Sequence, residues 1–310
     1  MQEVTIKKII TPGLRRRLMY TLSFLSDEVY LKLFYKTVTG RKLNLNNPVL
    51  FSEKENWLKI HNRNPEYKKL VNKLTVREIV AKEIGEGHTF PILGVWDSFD
   101  DIDFNRLPNQ FVLKCNHDSG GAKVIHDKSK LTTVEIKDLR KHFRSRLKHD
   151  FYYAGREWPY KGMERKIFAE EMMVSDNPED KDLTDYRFFC FNGEPEILFV
   201  GTDMSQNWHF DWFDMDFNKL DIFSIHPSDG KELKKPSKFE EMKTIARKLS
   251  KGKPFVRIDL YQINGKVYFG EETFFHGGGL CLFSPIEWEK KLGDLVDLSL
   301  AWDNRTQSKR

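Results

Sequence analysis

The stretch VRIDLYQINGKVYFGEETFFHGGG, residues 256–279, sets four charged side chains among residues that read as β-strand: Arg257, Asp259, Glu271 and Glu272. Charges in such a setting cost stability unless something pairs them. Asn264-Gly265 is the residue pair of a tight hairpin turn, so the stretch reads as two antiparallel strands. Arg257 and Asp259 lie two apart and share a face. Pairing about the turn carries Glu271 back towards Asp259. Two carboxylates held close repel unless a cation lies between them. Mg²⁺ suits hard oxygen donors and keeps waters and phosphates in its shell. Arg257 could grip a phosphate beside them. The other reading of the same residues is an Arg–carboxylate network tying two strands together.

Outward from this hairpin the chain is an ordinary soluble globular one. It has 310 residues, 31% charged and 13% aromatic, with formal net charge +5. That length suits two domains or one large α/β body. The charge is too small and mixed to demand nucleic acid, and it is compatible with anionic substrates. Cys115, Cys190 and Cys281 are far apart, each in an apolar run. They read as buried free thiols in a reducing compartment, without a CxxC metal pattern. No signal peptide and no apolar run of membrane-spanning length is visible, so a cytoplasmic protein is expected. The basic amphipathic start, LRRRLMYTLSFLSDEVYLKLFYKTVTG, reads as helix ended near Gly40. It is either a packed helix pair with a solvated basic face or an arm touching a lipid-linked substrate or making peripheral contact at the inner membrane face.

Tyr67, Leu70, Val71 and Leu74 are expected on one helical stripe ended by Gly85. FVLKCNH is a strand delivering Lys114, followed by a Gly turn, Ser119-Gly120-Gly121, that could aim N–H groups at a phosphate. Alone, that turn reads rather as an ordinary hairpin turn. Thr132 and Glu135 form a capping box for a helix carrying Ile136, Leu139, Phe143 and Leu147. IFAEEMM is an apolar strand ending in Glu170 and Glu171, which by itself reads as an edge strand with exposed charges. Three further strands follow, then a helix from about Ser237 to Ser250. A last helix is expected from Ser284-Pro285, with Glu287 completing its cap. The class is α+β with mostly antiparallel strands late in the chain.

In order, the chain offers a lysine strand, a Gly loop, a Glu-bearing strand, then Arg-x-Asp and Glu-x-Thr. This order resembles the ATP-grasp superfamily from roughly Tyr67 to Trp302. FSEKENWLKIHNRNPEYKKLVNK, LGVWDSFDDIDF, FVLKCNHDSGG, GREWPYK, DYRFFCFNG and FGEETFFHGGGL resemble more closely the TupA-like ATP-grasp group of bacterial surface-polysaccharide loci. The resemblance implies two α+β subdomains gripping ATP between antiparallel sheets. A helical extension over 1–65 would precede an ATP-grasp domain over 66–310, with a lead-in and lid part at about 66–170 and a catalytic part at about 171–303.

It also implies residue roles. Lys114 would meet the α/β-phosphates, and Ser119, Gly120 and Gly121 would fold over the triphosphate. Glu170, Glu171 and the backbone of Met172 would sit at the adenine. Asp185 would bind the ribose and Arg187 a phosphate. Asp259 and Glu271 would hold Mg²⁺, and Arg257 would steady the transferred phosphoryl group. Thr273 stands where the superfamily usually has Asn, keeping an oxygen ligand on a shorter arm. His276, Gly277 and Gly278 would line the acceptor side, where the glycines could offer N–H groups to an anionic intermediate. HGGG also occurs in lipase oxyanion loops, but no GxSxG elbow is present. The implied reaction is ATP-driven amide formation between a glycan or sugar carboxylate and an amine or amino acid, through an acyl phosphate. Arg156, Lys161, His209, Asp211 and Asp214 are further acceptor-contact candidates. Asp214-Met215-Asp216 also fits the DxD pattern of a glycosyltransferase, which is the alternative, together with an ATP-grasp kinase and a non-catalytic binding protein on the same scaffold.

Overall fold

A computed structural model describes residues 20–175, 183–202, 208–228 and 230–302. Its helices and strands, in chain order, are α1 Asp27–Thr39, α2 Phe51–His61, α3 Tyr67–Val71, α4 Val76–Ile84, β1 Ile92–Trp96, β2 Phe111–Cys115, β3 Lys123–Ile125, α5 Thr133–Leu147, α6 Tyr152–Gly155, β4 Ile167–Glu171, β5 Asp185–Phe191, β6 Glu194–Thr202, β7 His209–Asp214, β8 Lys219–Leu220, α7 Phe239–Ser250, β9 Phe255–Ile263, β10 Lys266–Thr273 and α8 Glu287–Leu295. They build two antiparallel sheets, a smaller one ordered β1-β4-β2-β3 and a larger one ordered β10-β9-β5-β6-β7-β8. The α+β class expected from the sequence is the one observed.

Each sheet is covered where the apolar periodicity changes from two to about three and a half. Leu139 and Phe143 of α5 pack with Phe111, Leu113 and Ile167 of the small sheet. Phe239, Met242, Ile245, Ala246 and Leu249 form one stripe of α7 and bury against β5, β6 and β9. The helix ends follow local chemistry. Ser26 caps α1 and Gly40 ends it at φ 73°, while Thr132 and Glu135 make the expected capping box of α5. The strand with Glu170 is not an edge: β4 lies between β1 and β2 and is paired on both sides.

Three expectations shift. The helix sought from Tyr67 to Gly85 is broken into α3 and α4. Asn72 accepts from the Leu74 amide, and the Lys73 amide donates to the Asn116 carbonyl at 3.1 Å, so the chain turns aside and Leu74 falls between the two helices. The last helix begins at Glu287 rather than at Ser284-Pro285 and has no side-chain cap. Ser284 is instead bound to Phe223 by two main-chain hydrogen bonds of 2.8 Å. Cys115 and Cys190 are buried, but Cys281 is half-buried. The basic arm before Tyr20 lies outside the described residues. No helix among those described is long and apolar enough to cross a membrane.

Helix α2 buries more polar than apolar side chains, including Ser52, Glu53, Glu55, Asn56 and Lys59. It packs against α8 and the 276–279 turn. A Cβ on Gly293 of α8 would overlap the Val49 carbonyl, so this crossing needs a glycine.

Candidate active site

The β9–β10 hairpin turns at Asn264 and Gly265, both with positive φ, 54° and 69°. Such a pair makes the primed turn that matches strand twist. Ile263 faces Lys266 and Leu260 faces Phe269, a register that would set Gly270 against Asp259. A bulge at Gly270 shifts it, so Glu271 opposes Asp259 and Thr273 opposes Arg257. The bulge thereby puts Arg257, Asp259, Glu271 and Thr273 on one face. Glu272 goes to the other face, where Lys253 bonds it at 2.9 Å in the interior.

Arg257 lies at the centre of that face. Its Nε and Nη2 donate to both oxygens of Asp259 at 2.6 and 2.5 Å. Nη2 also reaches Glu271 at 3.2 Å and Thr273 at 3.0 Å, and Nη1 reaches His276 Nδ1 at 3.1 Å. A guanidinium only donates, so Nδ1 of His276 is bare and its proton is on Nε2. Burial first, then Arg257 and Arg187, hold His276 well below the ordinary histidine value, so it is neutral. Burial pushes Asp259 up to about 7 against the pull of Arg257 and Arg187. Burial also pushes Glu271 up, but Lys73, Arg257 and Arg187 outweigh it, leaving Glu271 below the ordinary value. On the neighbouring strand Arg187 bonds Asp185 at 2.7 Å and stands 3.5 Å from Asp259. Asp185 Oδ1 is buried with no partner among the described residues.

These groups line a cavity of about 500 Å³ that the small sheet completes with Lys114, Glu170 and the Ser119–Gly121 loop. Lys114 is ion-paired to Glu170, which Arg77 approaches at 3.4 Å. Arg146 of α5 pairs with Asp118 and donates to the carbonyls of Ser119 and Gly120 at 3.3 and 2.9 Å, holding the loop down. Gly121 permits this approach, since a Cβ there would lie 2.6 Å from the Arg146 guanidinium carbon. The wall carries Lys73, Arg77, Lys114, Arg187 and Arg257 against Asp118, Glu157, Glu170, Asp185, Asp259 and Glu271.

The donor set fits Mg²⁺. Asp259, Glu271 and Thr273 offer oxygen only, and the charged side chains of the wall sum to one negative charge, so a polyphosphate would enter with cations. No group of three or more His, Cys, Asp or Glu able to hold a metal occurs among the described residues. The ion's shell would therefore be completed by phosphate and water oxygens, as Mg²⁺ prefers. Both oxygens of Asp259 are engaged by Arg257, whereas Glu271 is bonded through Oε1 alone.

Several expected contacts lie elsewhere. Glu171 is exposed at the end of β4, and neither it nor Met172 lines the cavity. Arg156 is 2% exposed; it donates to the Leu22 carbonyl and stacks 4.5 Å from the Tyr30 ring centroid, away from the site. Lys161 stands over the Tyr152 ring. His209 opens β7 opposite Thr202. Asp211 is buried against Lys219 at 2.6 Å and Ser228. Asp214 is spent on the turn after β7, accepting from the amides of Asp216 and Asn218 at 2.9 and 2.8 Å. The DxD pattern therefore has a structural use. Sequence reasoning missed Lys73, Arg77, Glu157 and the α2 residues. Glu55 accepts the His276 amide, Asn56 donates to the Gly279 carbonyl at 2.6 Å, and Lys59 donates to the Gly278 carbonyl at 2.6 Å. Polar residues on a short helix ordinarily face water, so nothing local marked them.

Two antiparallel sheets with a lysine, a glycine loop and an Arg-x-Asp/Glu-x-Thr hairpin around one cavity make an ATP-grasp architecture. The family model of TupA-like ATPgrasp matches residues 53–297, and the chain belongs to that family. Among solved structures it is similar to D-alanine–D-alanine ligase from Helicobacter pylori, at 15% identity over 80% of this chain and 69% of that one, TM-score 0.40. It is likewise similar to the Bacillus anthracis D-alanine–D-alanine ligase complexed with ATP, at 13% identity over 78% and 67%, TM-score 0.39. A third is a RimK domain ATP-grasp protein from Sphaerobacter thermophilus, at 10% identity over 88% and 96%, TM-score 0.43. No curated protein matches.

Proposed function

We propose that the protein is an ATP- and Mg²⁺-dependent carboxylate–amine ligase. It forms an amide through an acyl phosphate, joining an amino acid or amine to a uronic acid or other carboxylate of a bacterial surface polysaccharide. Family membership supports the nucleotide. The observation that carries the reading is the shared face of Arg257, Asp259, Glu271 and Thr273, opening on the same cavity as Lys114 and the Ser119–Gly121 loop.

In this reading Lys114 and the loop hold the phosphates, Asp185 takes the ribose, and Glu170 borders the adenine side. Asp259 and Glu271 hold Mg²⁺, which when bound neutralises phosphate charge. Arg257 and Arg187 receive the phosphoryl oxygens as the substrate carboxylate attacks the γ-phosphorus and ADP departs. Gly277 and Gly278 form the wall nearest the acyl group. Positioning and charge neutralisation do the work, so no covalent nucleophile is required.

The test is ATP cleavage in Mg²⁺ with D-glucuronate as carboxylate and hydroxylamine as a neutral trap. ADP and glucuronyl hydroxamate should appear together and be lost in Glu271→Gln. A sugar phosphate in place of the hydroxamate would make the protein a kinase. Turnover of a UDP-sugar without ATP would overturn the reading.

A further inference from the structure

Among the described residues the buried carboxylates are bonded, whereas a half-buried one at the cavity wall, Glu157, is not. Glu53, Glu55, Glu272 and Glu289 each accept hydrogen bonds from named amides or side chains. Glu157 makes none among the described residues, although it lines the cavity beside Tyr160, Gly278 and Glu271. It stands over the 276–279 turn: a Cβ built on Gly278 would lie 3.6 Å from its Oε1. The obvious internal partner is Lys59, and Lys59 is taken. Its three protons go to the carbonyls of Gly155 and Gly278 at 2.9 and 2.6 Å and to Asn56 Oδ1 at 3.4 Å. An ammonium has three donors and no more. A carboxylate kept in a half-enclosed cavity without a partner is costly unless a ligand completes it.

The geometry points to Glu157 as the binding site and proton acceptor for the ammonium group of the amine substrate. This rests on the ligase reading and adds the second substrate's site to it. Glu157 lies against Gly278, and Glu271 shares Arg257 with His276 of the same turn, so an amine held by Glu157 arrives beside the acyl group. The ammonium passes one proton to Glu157. The freed lone pair forms the C–N bond to the acyl carbon, and the C–O bond to phosphate breaks with its electrons going to phosphate. The phosphate takes the second proton of the nitrogen. Burial chiefly, and Glu271 in part, push Glu157 up to about 7 against the pull of Lys59 and Arg257, which suits a group that accepts a proton near neutrality.

The experiment compares two nucleophiles on one acyl donor. With ATP, Mg²⁺ and D-glucuronate, wild type and Glu157→Gln are each given hydroxylamine, which is largely uncharged near neutral pH, or an equimolar mixture of the common amino acids. The ratio of amide to hydroxamate should fall about 100-fold in Glu157→Gln, and Glu157→Asp should restore part of it. An unchanged ratio overturns the proposal. A loss of Mg-ATP affinity in Glu157→Gln also overturns it, because Glu157 would then serve the metal. A second arm needs no turnover. Methylammonium chloride, against sodium chloride at equal ionic strength, should raise the melting temperature of wild type and not of Glu157→Gln. Equal shifts in both proteins overturn the proposal even if the ligase reading stands. Absence of hydroxamate in wild type, with the methylammonium difference present, defeats the acyl-phosphate reading with D-glucuronate while keeping the cation site.

Discussion

Arg257 divides its N–H groups among Asp259, Glu271, Thr273 and His276. A planar fork can do this because its donors diverge at fixed angles, whereas a lysine offers a single charged point on a flexible stem. Arg257→Lys is therefore expected to keep the net charge and lose the geometry, lowering turnover about 100-fold or more with a smaller effect on nucleotide affinity. Steady-state kinetics with a separate ADP titration checks this; equal losses in both would mean that Arg257 serves binding alone. The strand period made the common face of Arg257 and Asp259 legible in the sequence. Of the two readings of the pair, the structure shows the Arg–carboxylate network: Arg257 engages both oxygens of Asp259, and Glu271 keeps Oε2 outside it. Arg156 and Asp214 misled because charge in a loop or next to an aromatic run says nothing about its direction; one stacks under tyrosines and the other caps a turn.

The hairpin shows how one residue of register selects a glutamate. Strict pairing from the Asn264-Gly265 turn would set Gly270 against Asp259 and Glu272 against Arg257; the bulge makes the pairs Glu271–Asp259 and Thr273–Arg257. Gly270 fits because there is no room for more: a Cβ would lie 2.8 Å from the Tyr261 ring and 3.1 Å from the Asp259 carbonyl oxygen. Gly270→Ala should cost about 1–3 kcal/mol and depress activity beyond that loss by displacing Glu271. Chemical denaturation together with activity at a temperature where the variant is folded separates the two effects, and full activity in a folded variant would rule out the bulge as the device that sets the site. The long helix expected from Tyr67 to Gly85 failed for a related reason. Periodicity reports which face is apolar, and it cannot report that Asn116 takes the Lys73 amide and turns the chain.

At the scale of the whole molecule, α2 ties the N-terminal part of the chain to the active-site turn through Glu55, Asn56 and Lys59. Glu55 is buried with Oε2 unpartnered, and Lys59, Glu289 and Glu157 are the charged groups that face it. Burial raises its pKa well above the ordinary value, despite the His276 amide and Lys59. The folded protein thus holds a proton at pH values where the unfolded chain has released it, so this group's contribution to stability falls as pH rises above the ordinary carboxylate value. Glu55→Gln removes that slope. Its melting temperature should gain on wild type progressively from acid to mildly alkaline pH, and a difference independent of pH would show that Glu55 is ionised in the fold.

The sequence by itself determined the α+β class, most of the longer strands, the helices α5 and α7, the hairpin turn, the common face of Arg257 and Asp259, and the lysine and glycine loop that belong with them. Local period, caps and turn residues are properties of neighbours along the chain, and they can be read there. Only the tertiary structure decided that a bulge brings in Glu271 and sends Glu272 inside, that His276 is neutral and held by Arg257, and that Lys59 is consumed by carbonyls while Glu157 stays open. Those outcomes depend on which groups meet across as many as 219 residues of chain, where hydrogen-bond donors and acceptors must be matched one against another.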